Sequence, residues 1–325
     1  MRPLDKVVAL LEGRNTRPCI SMWKHFPLVD RIPRQFVQKT LAFQETHNWA
    51  FVKLCYNGLY SIEDWGSIIK WPGKEDETGF VADYFIKKSK DWDRLQPLSV
   101  QEDALAREIA VTKEVVNAMK GRVPVLGTVF SPLTTACKMS GQIILDHIRG
   151  NSQSLTKALE VITHTTREFA GELVKAGVDG IFFATQMGTT DLLTVEEYGA
   201  FGIPYDLSVL DVIQGKTWFN VLHIHGSRPM LAELKNYPVQ GINWHDRRVA
   251  ANLTLARQIT DKVLIGGIDE HGVMAHGDER VLRAHIREAV EQEGGARLIL
   301  GPGCVVPLKI PEEKLIMVKK IVEEL

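Results

Sequence analysis

Eight short apolar runs alternate with helix-like segments along the chain, and this alternation restricts the possible folds more than any other feature. Most of the runs are continuously apolar, as is typical of parallel strands that are buried on both faces. The predicted strands are residues 18–23, 50–55, 123–129, 179–184, 218–223, 239–243, 262–267 and 297–300. Eight strands that alternate with helices predict an α/β fold of the (β/α)8 barrel (TIM barrel) type.

Segments of helical periodicity lie between the strands. Residues 101–119 place apolar side chains on one face and charges on the other, and residues 153–175 do the same. Asp278 is a suitable N-cap for a helix over 278–293, and the last helix is predicted to begin near Pro311. These helices supply the outer layer that a parallel barrel requires.

Residues 56–98 interrupt the alternation with a stretch rich in turn-forming residues, which predicts an excursion after the second strand. The alternative to a barrel is a doubly wound open sheet. No Gly-x-Gly-x-x-Gly follows the first strand, which weakens a dinucleotide-binding interpretation. Since no linker or repeat divides the chain, residues 1–325 are predicted to form one barrel domain.

The composition excludes several classes of function. The chain has 325 residues, a net charge of -1 and no basic stripe, so nucleic acid is not an expected partner. No run approaches the 18 or more apolar residues of a membrane span, and the start lacks a signal-peptide core, which favours the cytoplasm. None of the four cysteines is in Cys-x-x-Cys spacing, so they are expected to be free thiols or metal ligands.

Two histidines and one cysteine form the predicted metal site. His223 and His225 lie at the end of the fifth predicted strand, where residues i and i+2 point to the same side. Cys304 follows the eighth strand in a Gly/Pro-rich turn. Barrel enzymes build their active sites at these carboxyl ends. Two imidazoles and a thiolate would leave a tetrahedral zinc with one open position, which is typical of catalytic zinc.

Motifs along almost the whole length resemble the uroporphyrinogen decarboxylase superfamily, and specifically its corrinoid-dependent methyltransferase branch. That branch includes methylcobamide:thiol methyltransferases and O-demethylating methyltransferases. The resemblance rests on the order and spacing of several segments. They are residues 17–23 (RPCISMW), 176–181 (AGVDGI), 201–205 (FGIPY), 239–244 (VQGINW), 265–269 (IGGID) and the Gly-Pro-Gly-Cys turn at 301–304.

Departures from the family pattern indicate the branch. The decarboxylases carry an N-terminal arginine pair, which residues 23–26 (WKHF) lack, and a Leu-Gly-His-Gly turn, which here reads LGPG at 300–303. The methyltransferases carry a His-x-Cys motif and a later Gly-Cys, and their metal is zinc. His223 and Cys304 match that pattern, whereas His225 stands in place of the first cysteine.

The resemblance implies transfer of a methyl group between a substrate heteroatom and the cobalt of a corrinoid. Because the chain lacks an Asp-x-His-x-x-Gly motif, the corrinoid is expected on a partner protein. We favour O-demethylation of an aryl methyl ether, because an imidazole in place of a thiolate makes zinc a stronger Lewis acid toward oxygen. The alternatives are methylcobalamin:thiol transfer of the coenzyme M type, a metal-free decarboxylase, and a non-catalytic barrel that binds a corrinoid or its carrier.

Further residues near strand ends are predicted to complete the site. Glu270, Asp269 and His245 are the candidate catalytic residues. A helix N-cap is an equal interpretation of the first two, and a substrate contact or a fourth zinc ligand is an alternative for His245. The candidate substrate contacts are Trp23, His25, Phe183, Gln186, Met187 and Trp244. For the aromatic residues, burial in the core is the commoner role. Lys53 and Asn57 flank the excursion and would touch substrate or corrinoid, or face water.

Overall fold

Eight parallel strands curl into a barrel in the computed structural model, which describes residues 1–14, 17–294 and 297–325. The barrel strands are β1 (Cys19–Ile20), β2 (Val52–Leu54), β5 (Val125–Phe130), β6 (Gly180–Thr185), β7 (Val221–Ile224), β8 (Gly241–Trp244), β9 (Val263–Ile268) and β10 (Leu298–Pro302). Two further strands, β3 (Ile68–Lys70) and β4 (Phe80–Asp83), form an antiparallel pair. The predicted α/β barrel is therefore confirmed.

Hydrogen bonds close the ring where β1 and β2 meet. The ladder runs in the order β1-β10-β9-β8-β7-β6-β5-β2. Where the two ends of this ladder meet, the backbone amide of Ala50 donates to the carbonyl of Ile20 at 2.9 Å. The hydroxyl of Ser21 donates to the carbonyl of Phe51 at 2.7 Å and accepts from the Phe51 amide at 3.1 Å. The predicted first strand, 18–23, is regular over two residues only, and a side chain completes its pairing.

The helices are α1 (Pro3–Leu11), α2 (Pro33–His47), α3 (Asp103–Met119), α4 (Pro132–Ser140), α5 (Ile143–Arg149), α6 (Gln153–Ala176), α7 (Val195–Phe201), α8 (Ile203–Ile213), α9 (Leu231–Leu234), α10 (Leu253–Ile259), α11 (Val273–His276), α12 (Glu279–Glu293) and α13 (Glu312–Glu323). Asp278 caps α12 as predicted, because its carboxylate accepts from the Val281 amide at 2.8 Å. Helix α6 ends at Gly177, whose positive φ suits a glycine.

The predicted excursion after the second strand contains two 3-10 helices, Tyr60–Trp65 and Ser89–Arg94, with the β3–β4 pair between them. The Arg31 guanidinium lies 4.1 Å from the ring centre of Trp71, and Lys309 forms an ion pair with Asp76. The excursion thus contacts the loops that follow β1 and β10. Among the described helices, none combines the length and apolar character needed to cross a bilayer.

Side chains on the strands divide into an outer core and a lumen. The outer core lies between strands and helices, and the lumen is filled at its base by Phe51, Leu126, Phe182, Val221 and Ile265, among others. Paired residues of parallel strands point to the same face. Since Lys53 pairs with Leu126, and His223 with Asn243, these three polar side chains lie on the lumen side.

Candidate metal centre at the carboxyl end of the barrel

The structure brings together the three residues that the sequence predicts as metal ligands. His223 lies on β7, His225 follows that strand by one residue, and Cys304 lies in the turn after β10. Each offers a ligand atom, and the three atoms lie within 4.8 Å of one another. Zinc bonds of about 2.0 Å to nitrogen and 2.3 Å to sulfur would set such atoms roughly 3.5 Å apart. Small side-chain movements would therefore complete a coordination site.

Asn243 orients His223. Its side-chain NH2 donates to the carbonyls of Ile265 (2.8 Å) and Pro302 (3.0 Å), so its oxygen is left as an acceptor. That oxygen lies 2.7 Å from Nδ1 of His223. Nδ1 therefore carries the hydrogen, and the lone pair of Nε2 is available to a metal. The sequence analysis missed Asn243, although an amide inside an otherwise apolar strand end was a usable signal.

Glu270 joins the cysteine turn to the histidines. Its carboxylate accepts from the amides of Gly303 (3.0 Å) and Cys304 (3.2 Å) and lies 3.7 Å from Nδ1 of His245. Nε2 of His245 lies 3.1 Å from Nδ1 of His225. Burial alone would raise the pKa of Glu270, but the hydrogen bonds from His245 and from the backbone outweigh burial and lower it. Glu270 therefore holds the ligand-bearing turn and His245 together.

Burial sets the protonation of the three ligands. It lowers the pKa of His223 well below its usual value and, together with the nearby His245, lowers that of His225 to about 4. Both imidazoles are therefore neutral near pH 7, as metal binding requires. Burial raises the pKa of the Cys304 thiol to about 11. A metal bound here would have to displace the thiol proton, which is ordinary behaviour for a cysteine ligand. The donor set thus fits zinc.

Two predicted substrate contacts, Trp23 and His25, follow β1 at the carboxyl end of the barrel, where the candidate metal centre lies. Trp23 is buried and packs its ring against Phe51 and Phe182 in the lumen. His25 is partly buried, and burial followed by the charges of Lys53 and Lys138 lowers its pKa to about 4. Within the described part of the chain, Nδ1 of His25 has no hydrogen-bond partner. His25 thus offers a neutral, unused ring nitrogen.

Other predicted contacts lie elsewhere. Phe183, Met187 and Trp244 are buried in the outer core, where the Trp244 indole donates to the carbonyl of Ala251. The backbone amide of Gln186 donates to the Thr134 hydroxyl at 2.8 Å, and the Gln186 side chain is partly buried. We therefore correct the aromatic wall of the lumen from Phe183 to its neighbour Phe182.

Asp269 lies in a local turn. Its carboxylate accepts from the amides of His271 and Gly272 at 3.2 and 3.0 Å, and a guanidinium nitrogen of Arg248 lies 3.9 Å away. Asp269 is not the N-cap of α11, a position that Gly272 occupies; its carboxylate instead closes the turn that precedes this helix. Glu270, by contrast, contacts the turn that carries Cys304. Neighbouring acidic residues thus serve different structures.

Phe182 and two lysines lie near the candidate metal centre. Phe182 stacks on His223 with ring centres 5.6 Å apart, and Nζ of Lys53 lies 4.7 Å from the centre of the same Phe182 ring. Nζ of Lys138, on α4, lies 4.3 Å from the ring centre of Phe130 and donates to the carbonyl of Gly58 at 3.0 Å. Lys138 was missed by the sequence analysis, because an amphipathic helix ordinarily exposes its lysines.

Comparisons with known proteins agree with this architecture. The sequence profile of the uroporphyrinogen decarboxylase (URO-D) family matches residues 26–325. The methylcobamide:CoM methyltransferase MtbA of Methanosarcina acetivorans is 21% identical over 244 residues, which cover 75% of this chain and 70% of the relative. A uroporphyrinogen decarboxylase of Trichodesmium erythraeum is 24% identical over 263 residues, 77% of this chain and 72% of the relative.

Among solved structures, a methyltransferase from Methanosarcina mazei superposes with a TM-score of 0.85 at 19% identity, covering 100% of this chain and 99% of that one. At this level of identity, the superposition shows the shared fold. It extends over all the strands that carry the candidate metal centre.

Proposed function

Because the chain belongs to the uroporphyrinogen decarboxylase family, we propose that it is a zinc-dependent methyltransferase that works with a corrinoid protein. The methyl group would move between a heteroatom of a small substrate and the cobalt of a corrinoid carried by that partner. The observation that carries the proposal is the convergence of His223, His225 and Cys304, whose ligand atoms lie within 4.8 Å. Relatives named as methylcobamide:CoM methyltransferases support it.

His223, His225 and Cys304 would hold the zinc, which when bound would act as a Lewis acid on the heteroatom that gains or loses the methyl group. Asn243 would keep Nε2 of His223 free for this role through its hydrogen bond to Nδ1. Glu270 would hold the Cys304 turn in place, and His245 would hold the ring of His225. The lower lumen, filled by Trp23, Phe51 and Phe182, would exclude water from below.

The donor set favours a methyl ether as the methyl donor. Two neutral imidazoles and one thiolate leave a divalent zinc with one net positive charge, whereas a second thiolate would cancel it. A more positive centre favours the departure of an alkoxide or phenolate oxygen. We therefore propose O-demethylation of an aryl methyl ether onto the partner's reduced cobalt as the preferred direction.

Transfer from a methylated corrinoid to a thiol of the coenzyme M type is the second candidate, and the activity named for the Methanosarcina relatives favours it. The two directions differ in their dependence on position 225. A His225→Cys variant has a more electron-rich ligand set, which favours thiolate chemistry over ether cleavage. The same variant should keep its zinc, because cysteine is an ordinary ligand.

The test combines metal analysis with transfer assays in both directions. Purified protein should contain one zinc per chain, and Cys304→Ser should contain only traces. The zinc-loaded protein should methylate a cobalt(I) corrinoid protein with an aryl methyl ether, detected by the change in the cobalt absorption spectrum. His225→Cys should lose most ether activity while gaining transfer to a thiol.

Other outcomes would replace the proposal. Loss of carboxylate from a porphyrinogen without zinc would indicate a decarboxylase, the activity named for other relatives. Binding of a corrinoid protein that is unchanged in His223→Ala and Cys304→Ala, without turnover of any methyl donor, would indicate a non-catalytic barrel. Equal zinc content in wild type and Cys304→Ser would contradict the ligand set itself.

A further inference from the structure

The three proposed metal ligands differ in how the surrounding structure holds them. His223 lies within β7, where the ladder fixes its backbone, and Glu270 binds the amide of Cys304. His225 lies one residue beyond the end of β7, and its amide donates to the carbonyl of Thr185 at 3.0 Å. The β7 loop, residues 225–230, lies outside the named helices and strands. The direction of the His225 side chain therefore depends on what holds this loop.

The β7 loop packs directly against the loop that follows β6. Its backbone turns at Gly226, whose φ of 118° lies in the region that favours glycine. A Cβ atom at this position would lie 2.4 Å from Oγ1 of Thr189, so a larger residue could not approach in this way. The amide of Thr190 also donates to the carbonyl of Arg228 at 3.0 Å. The two loops are therefore in close contact at the residue that follows the ligand.

Asp191 joins the two loops through its carboxylate. Oδ2 accepts from the amides of Ser227 (2.6 Å) and Arg228 (3.2 Å). Oδ1 accepts from the Ser227 hydroxyl and from Nε of Arg228, both at 2.8 Å, and the Thr189 hydroxyl donates to Oδ2 at 2.8 Å. These hydrogen bonds, first that from Arg228, lower the pKa of Asp191, so the carboxylate is ionised at neutral pH. One charged side chain thus fixes both residues that follow Gly226.

The partners of Asp191 distinguish it from an aspartate that only closes its own turn. Asp91 and Asp269 accept from amides within 4 residues of themselves. Asp191 accepts from amides 36 and 37 residues further along the chain. Its side chain is 27% exposed, so its ion pair with Arg228 should contribute little to the free energy of unfolding. The main effect of these bonds is therefore to restrict the conformation of the β7 loop.

We propose that Asp191 is a positioning residue, which holds the β7 loop so that the ring of His225 faces His223 and Cys304. The inference rests on the proposed function, because it assumes that His225 binds zinc. His245 contacts the ring of His225, with its Nε2 3.1 Å from Nδ1, whereas Asp191 acts on the backbone that carries the ring. Among the described residues, the group of converging ligand atoms does not include Asp191. Its effect on zinc would therefore pass through His225.

Zinc affinity measures this role. Asp191→Ala frees two amides of the β7 loop and should weaken zinc binding about 10- to 100-fold, the usual cost of losing an outer partner of a ligand. Competition with a chelator of known affinity measures the change, and urea unfolding of the metal-free protein should give nearly the wild-type free energy. Asp91→Ala is the matched control, because Asp91 also accepts from two successive amides, those of Lys87 and Lys88, but lies in the excursion. It should bind zinc as the wild type does.

A second substitution, at His225, separates positioning from a general loss of structure. If Asp191 acts through His225, replacing it in a His225→Ala protein should change zinc affinity by less than about twofold, since the ligand that it positions is already absent. A residue that only supports the fold would weaken zinc binding in both backgrounds. Asp191→Asn, which keeps the shape of the side chain and one acceptor oxygen, provides the same comparison if the alanine variant folds poorly.

Cobalt(II) in place of zinc shows which ligand is displaced. Its visible absorption depends on the number and type of ligands, and a bound thiolate adds a band of its own. The spectrum of Asp191→Ala should approach that of His225→Ala, while the thiolate band from Cys304 remains. Loss of that band would mean that the substitution disturbs the Cys304 turn and not the position of His225.

Three results would overturn the positioning role: wild-type zinc affinity in Asp191→Ala, an equal loss of affinity in the wild-type and His225→Ala backgrounds, or loss of the thiolate band. Failure of the proposed function is separate. If Asp191→Ala weakens zinc binding as described but the zinc-loaded wild type transfers no methyl group in either direction, the positioning role stands and the methyltransferase assignment falls. If the wild type binds no zinc, both fall.

Discussion

Two buried polar networks in this barrel differ in how they end. Around the metal centre, hydrogen bonds run from Asn243 to His223 and from Glu270 to the Cys304 turn, and they leave ligand atoms directed at one point. Behind the sheet, Asp206 accepts from the hydroxyls of Tyr198 (2.6 Å) and Tyr237 (2.7 Å). This second network, here called the closed network, joins side chains only to one another; both hydroxyls bond Oδ2 of Asp206, and Oδ1 is buried without a hydrogen-bond partner among the described residues.

The comparison indicates how to separate function from stability in a fold of this kind. A polar network that joins a carboxyl group to two tyrosines stabilises one packing arrangement, whereas one that brings imidazole and thiol lone pairs together is prepared for a ligand. Substitutions in the first should therefore change the free energy of unfolding and spare the metal. Substitutions in the second should change metal or substrate binding and spare the fold.

The largest effect is expected from His223→Ala. This variant removes a proposed zinc ligand from the network around the candidate metal centre and should reduce zinc from stoichiometric to trace amounts, with complete loss of methyl transfer. Far-UV circular dichroism should remain that of the wild type. His147→Ala is the control, since His147 is also buried and, among the described residues, accepts a hydrogen bond from the Trp92 indole at 2.9 Å. Zinc retention by His223→Ala would contradict the division into two networks.

The closed network should make the free energy of unfolding depend on pH. Burial, opposed by the two tyrosine hydrogen bonds, raises the pKa of Asp206 to about 7, compared with about 3.9 in an unfolded chain. Between these values the folded state binds more protons than the unfolded state, so stability falls as the pH rises from about 4 to about 7. The contribution of Asp206 to the free energy of unfolding is fully present below this pH range and is lost above it.

Asp206→Asn should remove this contribution. Urea unfolding at several pH values should show the stability difference, wild type minus variant, decreasing by about 2–4 kcal/mol across that range. Zinc content should be unchanged at every pH. A constant difference would mean that Asp206 titrates normally in the folded protein and that the network is ionised.

Asn243→Ala should have an intermediate effect, because it removes the partner of a ligand and not the ligand. Loss of the acceptor for Nδ1 of His223 should weaken zinc affinity about 10- to 100-fold, the usual cost of losing such an outer partner. Competition with a chelator of known affinity measures this change. Asn243→Asp retains the acceptor for Nδ1 but sets its second oxygen against the carbonyls of Ile265 and Pro302. It should therefore bind zinc more tightly than Asn243→Ala although it folds less stably, a combination that a purely structural role would not predict.

The sequence predicted the barrel and the convergence of His223, His225 and Cys304 because both depend on periodicity and position. Continuous apolar runs identify parallel strands, and the i, i+2 spacing of His223 and His225 places both rings on one side. It did not predict Lys138 or Asn243. Their surroundings depend on which side chains meet at the carboxyl end of the barrel, and this depends on the stagger of strands that are distant in sequence.

The same limit explains the correction at residues 182 and 183. Both are phenylalanines within a continuous apolar run, so hydrophobic periodicity cannot tell which faces the lumen. Pairing with β7 decides it: Phe182 pairs with Val221, whose side chain also lies in the lumen, and Phe183 pairs with Leu222 in the outer core. A shift of one residue exchanges the two faces.

The placement of Phe182 in the lumen and of Phe183 in the outer core gives the test with the smallest and most selective expected effect. Phe182→Leu and Phe183→Leu remove the same atoms from fully buried positions, and each should destabilise the fold by about 1–2 kcal/mol. Only Phe182 touches both His223 and Lys53, so only its variant should weaken binding of the aryl methyl ether 4-methoxybenzyl alcohol, roughly threefold to tenfold for the loss of a ring contact and a cation–π contact. Equal binding by the two variants would mean that the lumen wall is not formed by Phe182, and the aromatic part of the proposed substrate would then need another surface.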